Sequence, residues 1–564
     1  MAMTTNGLSS KLIPSFLRCL NSSSPSFTTP HFRFAQRTTI NTTTTTIFAP
    51  PAQPEQSTIN YSNDDRVYNF EDTKRLFSSV KTGKLIRSAA NLSMASVEPV
   101  VDLGMWVMSS RLMQMGLLRE VVLGGIKHTV YEHFVAGSDT GEAGRTVKKL
   151  WESGLRGMLD YGLEHAVDNE SCDTNAQQFI KTVESTQSLP SSSVSFVVVK
   201  ITAICPISLL KRVSDLLRWE YKHKNSSSFV LPWKLKTLPI FVECSPFYHT
   251  LTKPSPLTMA EELDLELAQQ RLTTICNKAI ESNVPVVIDA EDTSIQPGID
   301  YFTYSAAIMY NKGQKPLISG TIQAYLKDAG QRLFQTKKAA DKLELPIGFK
   351  LVRGAYMSSE RKLANSLGVE SPIHNSINET HRCFNACASF MVDEVSNGPG
   401  GLILATHNLE SGKSLKLYVF HHLGCFPFFH ICLNSFKKKE YTTPGNTTEL
   451  LIMKTERGKL AARKAGDLGI GRESDKLEFA SLYGMADAMS FGLRNSGFKV
   501  SKYLPFGPVD KIMPYLLRRA EENKGLLSSS YLDRHLMMKE LKRRVKACVG
   551  QVPMVGRKRE RPVV

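Results

Sequence analysis

From residue 154 to residue 505 the chain repeats one unit, a short apolar run, a polar junction and a helical stretch. This alternation constrains the fold more than any other feature, because strand–helix–strand units build parallel sheets. The runs are SFVVVKIT (195–202), VPVVIDAE (284–291), LISGTIQA (317–324), IGFKLVRGA (347–355), GLILATHN (401–408), LEFASLYG (477–484) and FKVSKYLP (498–505). Each is rich in β-branched or aromatic residues. GLRGMLDYGLE (154–164) is a weaker eighth, and helical patterns follow several runs, as at 326–343, 378–396 and 485–496. Eight such units without a glycine-rich dinucleotide fingerprint predict an α/β fold of the (β/α)8 TIM-barrel type rather than a doubly wound sheet. GIGRES (469–474) does not fit GxGxxG, and no GxxxxGK[ST] occurs.

The flanks divide the chain further. The first acidic residue is Glu55, preceded by Lys11, Arg18, Arg33, Arg37 and many Ser and Thr. Residues 1–60 therefore read as a disordered transit peptide. Residues 65–150 read as a helical arm, 151–525 as the barrel and 526–564 as a basic tail. Inside the barrel, 414–457 has neither helical nor strand period and interrupts THNLESGK…LAARKAGDLG. It reads as an atypical insertion, either a retained intron or a real surface loop whose close ends keep its entropic cost low.

The net charge of +17 raises the question of nucleic acid. Its distribution argues against that partner. Residues 1–54 carry +4, 414–457 carry +3 and 534–564 carry +8, so the rest is close to neutral. The tail is either a frayed soluble terminus or a contact for an anionic membrane surface. The ten cysteines contain no CxxC pair, which fits a reduced compartment without a disulfide framework. No metal site is expected, and no segment is long and apolar enough to span a membrane.

Polar residues gather where the runs end: Lys200, Asp289, Gln323, Lys350, Arg353, His407 and Tyr503. Active sites of such barrels lie at that rim. One further stretch is PYLLRRAEEN (514–523). On a helix Tyr515, Arg518, Arg519 and Glu522 fall within an arc of about 100°, with Leu516, Leu517 and Ala520 on another side. Such a face is either solvated or a site for a small carboxylate, which paired guanidinium forks match.

The blocks FVVVKITA, VIDAEDTSIQPGIDY, GTIQAYLKDAGQRL, GFKLVRGAYMSSER, ATHN, LYGMADAMSFGL and SKYLPFGPVDKIMPYLLRRAEENKG resemble, in order and spacing, those of the proline dehydrogenase family. The wording is nearest to its plant mitochondrial members and runs from about 65 to 546, leaving out 414–457. The resemblance implies a distorted (β/α)8 barrel that binds FAD non-covalently. It implies oxidation of L-proline to Δ1-pyrroline-5-carboxylate by hydride transfer to flavin N5. It further implies that electrons pass to quinone and that the enzyme is peripheral on the matrix side of the inner mitochondrial membrane. By position, Arg518 and Arg519 would bind the proline carboxylate, with Lys200 near it and Glu522 positioning the arginines. Asp289 would orient Tyr503, which packs on the substrate beside Tyr515, with Leu482 and Met485 as apolar wall. Gln323, Lys350, Arg353, Tyr356, Thr406 and His407 would contact the cofactor. A folate-reducing flavin barrel is the competing enzyme class, but nothing implies a folate site. The bulk of Tyr515 should disfavour hydroxyproline. An inactive product, uncoupled by the insertion, is the non-enzyme alternative.

Overall fold

The computed structural model describes residues 72–94, 97–110, 116–223, 230–250, 252–407, 475–518 and 527–549. All eight apolar runs form strands: β1 (Arg156–Tyr161), β2 (Val194–Val199), β3 (Val286–Ile288), β4 (Ile318–Gln323), β5 (Gly348–Val352), β6 (Gly401–Ala405), β7 (Leu477–Leu482) and β8 (Val500–Phe506). They pair in parallel in chain order, and β1 closes the barrel on β8 with Met158 opposite Tyr503. Helices cover the outside, as parallel sheets require. Among them are Asn169–Ser185 after β1, Gln296–Tyr310 after β3 and Ala329–Asp341 after β4. Two of the outer helices begin with a reciprocal capping box, Thr258 with Glu261 and Ser376 with Glu379.

The strands are shorter than the predicted runs. β3 keeps only Val286–Ile288 of 284–291, and β5 keeps Gly348–Val352 of 347–355. The polar residues at the ends of those runs sit in the loops instead. After β5 the chain turns at Gly354, where φ is +136° and an added Cβ would meet the Tyr325 ring at 2.4 Å. Inside the barrel Met158, Val198, Val287, Ile403 and Ala480 pack together as an apolar plug. Polar side chains occupy the space above and below it.

Two predicted boundaries need correction. Residues 65–150 do not all form an arm. The helix Thr140–Glu152 buries Ala143, Val147 and Leu150 and belongs to the barrel wall. Gly157 of β1 lets it approach, since a Cβ there would lie 3.0 Å from Val147 Cγ2 and 2.8 Å from Leu504 Cδ1. The basic tail is also not frayed through 527–549, where the helix Leu527–Val549 packs on the arm helix Thr82–Met94. Some of its charges are used internally, while Lys539, Lys542 and Lys546 stay exposed. Glu540 is buried and accepts from Arg543 and Arg544 at 2.8 Å and from Thr73 at 3.0 Å. Arg544 also donates to the carbonyls of Phe77 and Val80 at 2.9 Å. Asp533 caps the helix Asp487–Asn495 by accepting from the Ala488 amide at 2.7 Å. The sequence missed this clasp because one acid among many basic residues reads as solvated charge. The predicted transit peptide and the 414–457 insertion lie outside the described residues.

Candidate active site

The C-terminal ends of the strands bring Asp160 (β1), Lys200 (after β2), Asp289 (after β3), Lys350 (β5) and Tyr503 (β8) into one buried network. Lys200 Nζ donates to Asp160 Oδ1 at 2.7 Å and to the Tyr503 hydroxyl at 3.2 Å. It lies 3.6 Å from Asp289 Oδ2. Lys350 Nζ donates to Asp289 Oδ1. The Tyr503 hydroxyl stands 2.8 Å from both Asp160 Oδ2 and Asp289 Oδ2. It carries one proton for two carboxylates, so their ionisation is linked. Burial raises the Asp160 carboxyl, and Lys200 offsets only part of the rise. Burial also pushes Asp289 upward, but Lys350 and Lys200 outweigh it and hold that carboxyl below its ordinary value. Burial alone would lower Lys200; Asp160, Asp289 and Glu164 instead hold its ammonium well above the ordinary value. The Tyr503 ring carries both ammonium groups near its face, Lys350 at 5.1 Å and Lys200 at 5.9 Å from the centroid.

Arg518 lies in helical backbone over 513–518, beyond β8. Its Nη2 donates to Glu164 Oε1 at 2.5 Å, and its guanidinium sits 5.6 Å over the Tyr356 ring. Glu164 is therefore its described partner; Glu522 and Arg519 lie outside the described residues. Tyr515 is buried in a separate apolar cluster with Tyr131, Phe134, Met485 and Leu516, against which Leu482 and Tyr503 also pack. That cluster forms one wall beside the charged network.

The residues predicted to meet a cofactor occupy the ends of β4 to β6. Gln323 Nε2 donates to the Glu291 carbonyl at 2.7 Å. Arg353 donates to Thr406 Oγ1 at 2.6 Å and to His381 Nδ1 at 3.0 Å, and stacks 4.4 Å from the Phe384 centroid. Burial lowers its guanidinium to about 10. His407 Nε2 accepts the Leu482 amide at 3.0 Å, which joins the end of β6 to β7. Tyr356 faces Arg518 and so stands between the two groups of residues.

Four site residues escaped the sequence reading: Asp160, Glu164, His165 and Glu291. Their ligand atoms give a Glu164–His165–Glu291 cluster within 4.8 Å. His165 Nε2 lies 3.3 Å from Glu291 Oε2, and Thr202 donates to Glu291 Oε1 at 2.6 Å. Asp160 repeats the pattern of Lys200 and Asp289, a lone charge ending a strand. It was hidden because its run was the weakest of the eight. Glu164 and Glu291 lie in loops, where an acid is ordinarily solvated.

A family model described as proline dehydrogenase matches residues 143–424 and 455–531. The break falls within the predicted insertion. Mitochondrial proline dehydrogenase 2 of Arabidopsis thaliana is 52% identical over 482 residues, covering 85% of this chain and 91% of its own length. A hydroxyproline dehydrogenase of Xenopus laevis is 30% identical over 428 residues, covering 75% of this chain and 79% of its own. Among solved structures, proline utilization A from Bdellovibrio bacteriovorus, inactivated by N-propargylglycine, aligns with a TM-score of 0.52 at 17% identity. That alignment covers 85% of this chain but 44% of the larger protein, and the likeness is one of fold. The match over most of the barrel, with relatives at this identity, assigns the chain to the proline dehydrogenase family, enzymes of the first step of proline catabolism.

Proposed function

We propose that the chain oxidises L-proline to Δ1-pyrroline-5-carboxylate, using FAD and passing electrons to a quinone, as a peripheral protein on the matrix side of the inner mitochondrial membrane. The observation that carries this reading is the convergence of three cations, Lys200, Lys350 and Arg518, on one barrel mouth that also bears an apolar wall. Proline presents the same contrast, a fixed carboxylate on an apolar ring.

The donor set suits FAD. Gln323, Lys350, Arg353, Thr406 and His407 line the ends of three adjacent strands, and Arg353 is a half-buried cation aligned with a hydroxyl, a pairing fit for a pyrophosphate. When bound, FAD supplies a hydride-accepting N5 to the proline ring carbon that adjoins nitrogen and is distal to the carboxylate. The remaining work belongs to the chain. Arg518, with Arg519, holds the proline carboxylate and fixes the ring. That carboxylate competes with Glu164 for the guanidinium. Lys200 adds a charge held permanently on by its acidic neighbours. Asp160 and Asp289 lock Tyr503 so that its ring forms a flat boundary to the pocket. The positive charge of Lys350 favours electron-rich species beside it. The proline amine must be neutral for its lone pair to stabilise the forming iminium, and solvent takes that proton. Tyr515, packed into the wall, leaves little room for a hydroxyl on the ring, which favours proline over hydroxyproline.

The test is anaerobic. The purified chain should carry a visible flavin band, and L-proline should bleach it. A flavin band that ignores proline would overturn the substrate; a colourless protein that cannot be loaded with FAD would overturn the cofactor.

A further inference from the structure

Two helices of the arm preceding the barrel carry outward-facing apolar side chains. On the helix Glu98–Ser109, Leu103 and Trp106 are 61% and 62% exposed. On the helix Gly116–Ile126, Leu117 and Val121 are 88% and 72% exposed. Leu103 and Trp106 are three residues apart and Leu117 and Val121 four apart, so each pair forms a stripe along its helix. Met94, Val97 and Val130 extend the exposed apolar surface. A soluble helix normally turns the opposite face to water.

Three observations select the occupant. First, these helices span about 18 Å or less, against a hydrocarbon core of about 30 Å, and no described helix is long and apolar enough to cross a membrane. An apolar helix too short to cross can still lie in the interface plane. Second, residues 81–130 hold six Lys and Arg against three Asp and Glu. Lys81, Lys84 and Lys127 are exposed, and Arg87 (67% exposed side chain) pairs with Glu132, which also meets His128. Third, the arm continues directly into the active-site wall. Tyr131 donates to the Gly507 carbonyl at 2.6 Å, and Tyr131, Phe134 and Val135 pack with Met485, Ile512 and Tyr515.

We propose that the face carrying Leu103, Trp106, Leu117 and Val121 docks in the plane of an anionic lipid bilayer and seats the barrel mouth beside it. This rests on the reading of the chain as a peripheral enzyme with a lipid-soluble acceptor, and assigns a membrane contact to the arm.

The full chain is mixed with vesicles of phosphatidylcholine doped with phosphatidylglycerol. It should sediment with them, less well with phosphatidylcholine alone, and brominated acyl chains should quench fluorescence that Trp106→Phe removes. Trp106→Glu with Leu117→Glu should weaken vesicle partitioning about tenfold or more. The same variant should lose reduction of a long-chain quinone dissolved in the vesicles, yet keep proline-dependent reduction of a water-soluble dye. Retained dye reduction also shows that the variant is folded. Unchanged partitioning of the variant overturns the proposal. So does a wild-type dimer that the variant dissociates without change in vesicle binding, which would make the face a contact between copies. If the wild type reduces the dye but ignores vesicles, the docking proposal fails alone; if it reduces nothing with proline, the functional reading fails first.

Discussion

At the floor of the barrel Arg156 donates to Glu478 at 2.8 Å, and Ser501 donates to the same carboxylate. Ser195 stands 2.7 Å from Ser501 and donates to the Gly157 carbonyl at 3.1 Å. At the rim, Lys200, Lys350 and Arg518 also meet carboxylates, but Glu164 Oε2 has no hydrogen-bond partner among the described residues, and Glu291 Oε2 faces the exposed His165 Nε2 at 3.3 Å. Both ends bury charge in one barrel. The floor uses its charge to finish a structure; the rim holds groups with bonding capacity left over. Buried charge alone therefore marks no function. Charge that converges and remains incompletely paired does.

The largest expected difference is catalytic. Arg518→Met removes a guanidinium that proline's carboxylate would claim. It should lower kcat/KM for proline about a thousandfold, mostly through KM, in steady-state assays with a dye acceptor. Glu478→Ala, at the floor, should leave kcat/KM within about twofold. A proline KM untouched by Arg518→Met would erase the functional half of the comparison.

Much of this contrast could be read from the chain, and the limits have physical causes. The barrel is legible because fully buried strands need runs such as VSFVVV in β2, which little else requires. Lys200, Asp289, Lys350 and Tyr503 are legible because a charge or phenol ending such a run has few structural uses. Glu478 ends no run; it opens β7, and the sequence alone offers no way to tell its end of the barrel from the other until the strands are closed. Glu164 and Glu291 depend on loop paths that periodicity does not encode. The clasp of Glu540 with Arg543 and Arg544 has i, i+3 and i, i+4 spacing, a signal that was present but diluted by the surrounding basic residues.

The second test is thermodynamic and runs the other way. Glu478→Ala strands the mostly buried Arg156 guanidinium and leaves Ser501 without its acceptor. It should cost about 3 kcal/mol of stability in denaturant unfolding, more than Arg518→Met. If the floor variant were as stable as the parent, its ion pair would not be structural.

The third uses pH. The hydrogen bond to Glu291 raises the His165 imidazole above its ordinary value, with burial opposing. A raised histidine contributes stability that is fully present below its unfolded value near 6.5 and is lost as pH rises through the folded value. The difference in Tm between the parent chain and His165→Gln should therefore shrink as pH rises from about 6 to about 9. Half-exposed on one side, this pair is worth about 1 kcal/mol or less. A pH-independent effect of His165→Gln would mean that the imidazole is merely packed.

The smallest expected effect is also the most selective. Ser195 is buried and its hydroxyl bridges the Gly157 carbonyl and Ser501. Ser195→Ala removes that bridge, but Ser501 keeps Glu478 as its acceptor, so no charged group is stranded. The loss should be about 0.5 kcal/mol, a fall of about 1 °C in Tm, with kcat and KM for proline unchanged. The apolar plug of Met158, Val198, Val287, Ile403 and Ala480 separates this hydroxyl from the rim, and a dry, packed layer transmits little of a lost hydrogen bond beneath it. A change in proline KM with Ser195→Ala would mean that the two ends communicate through the plug, and that the floor belongs to the active site after all.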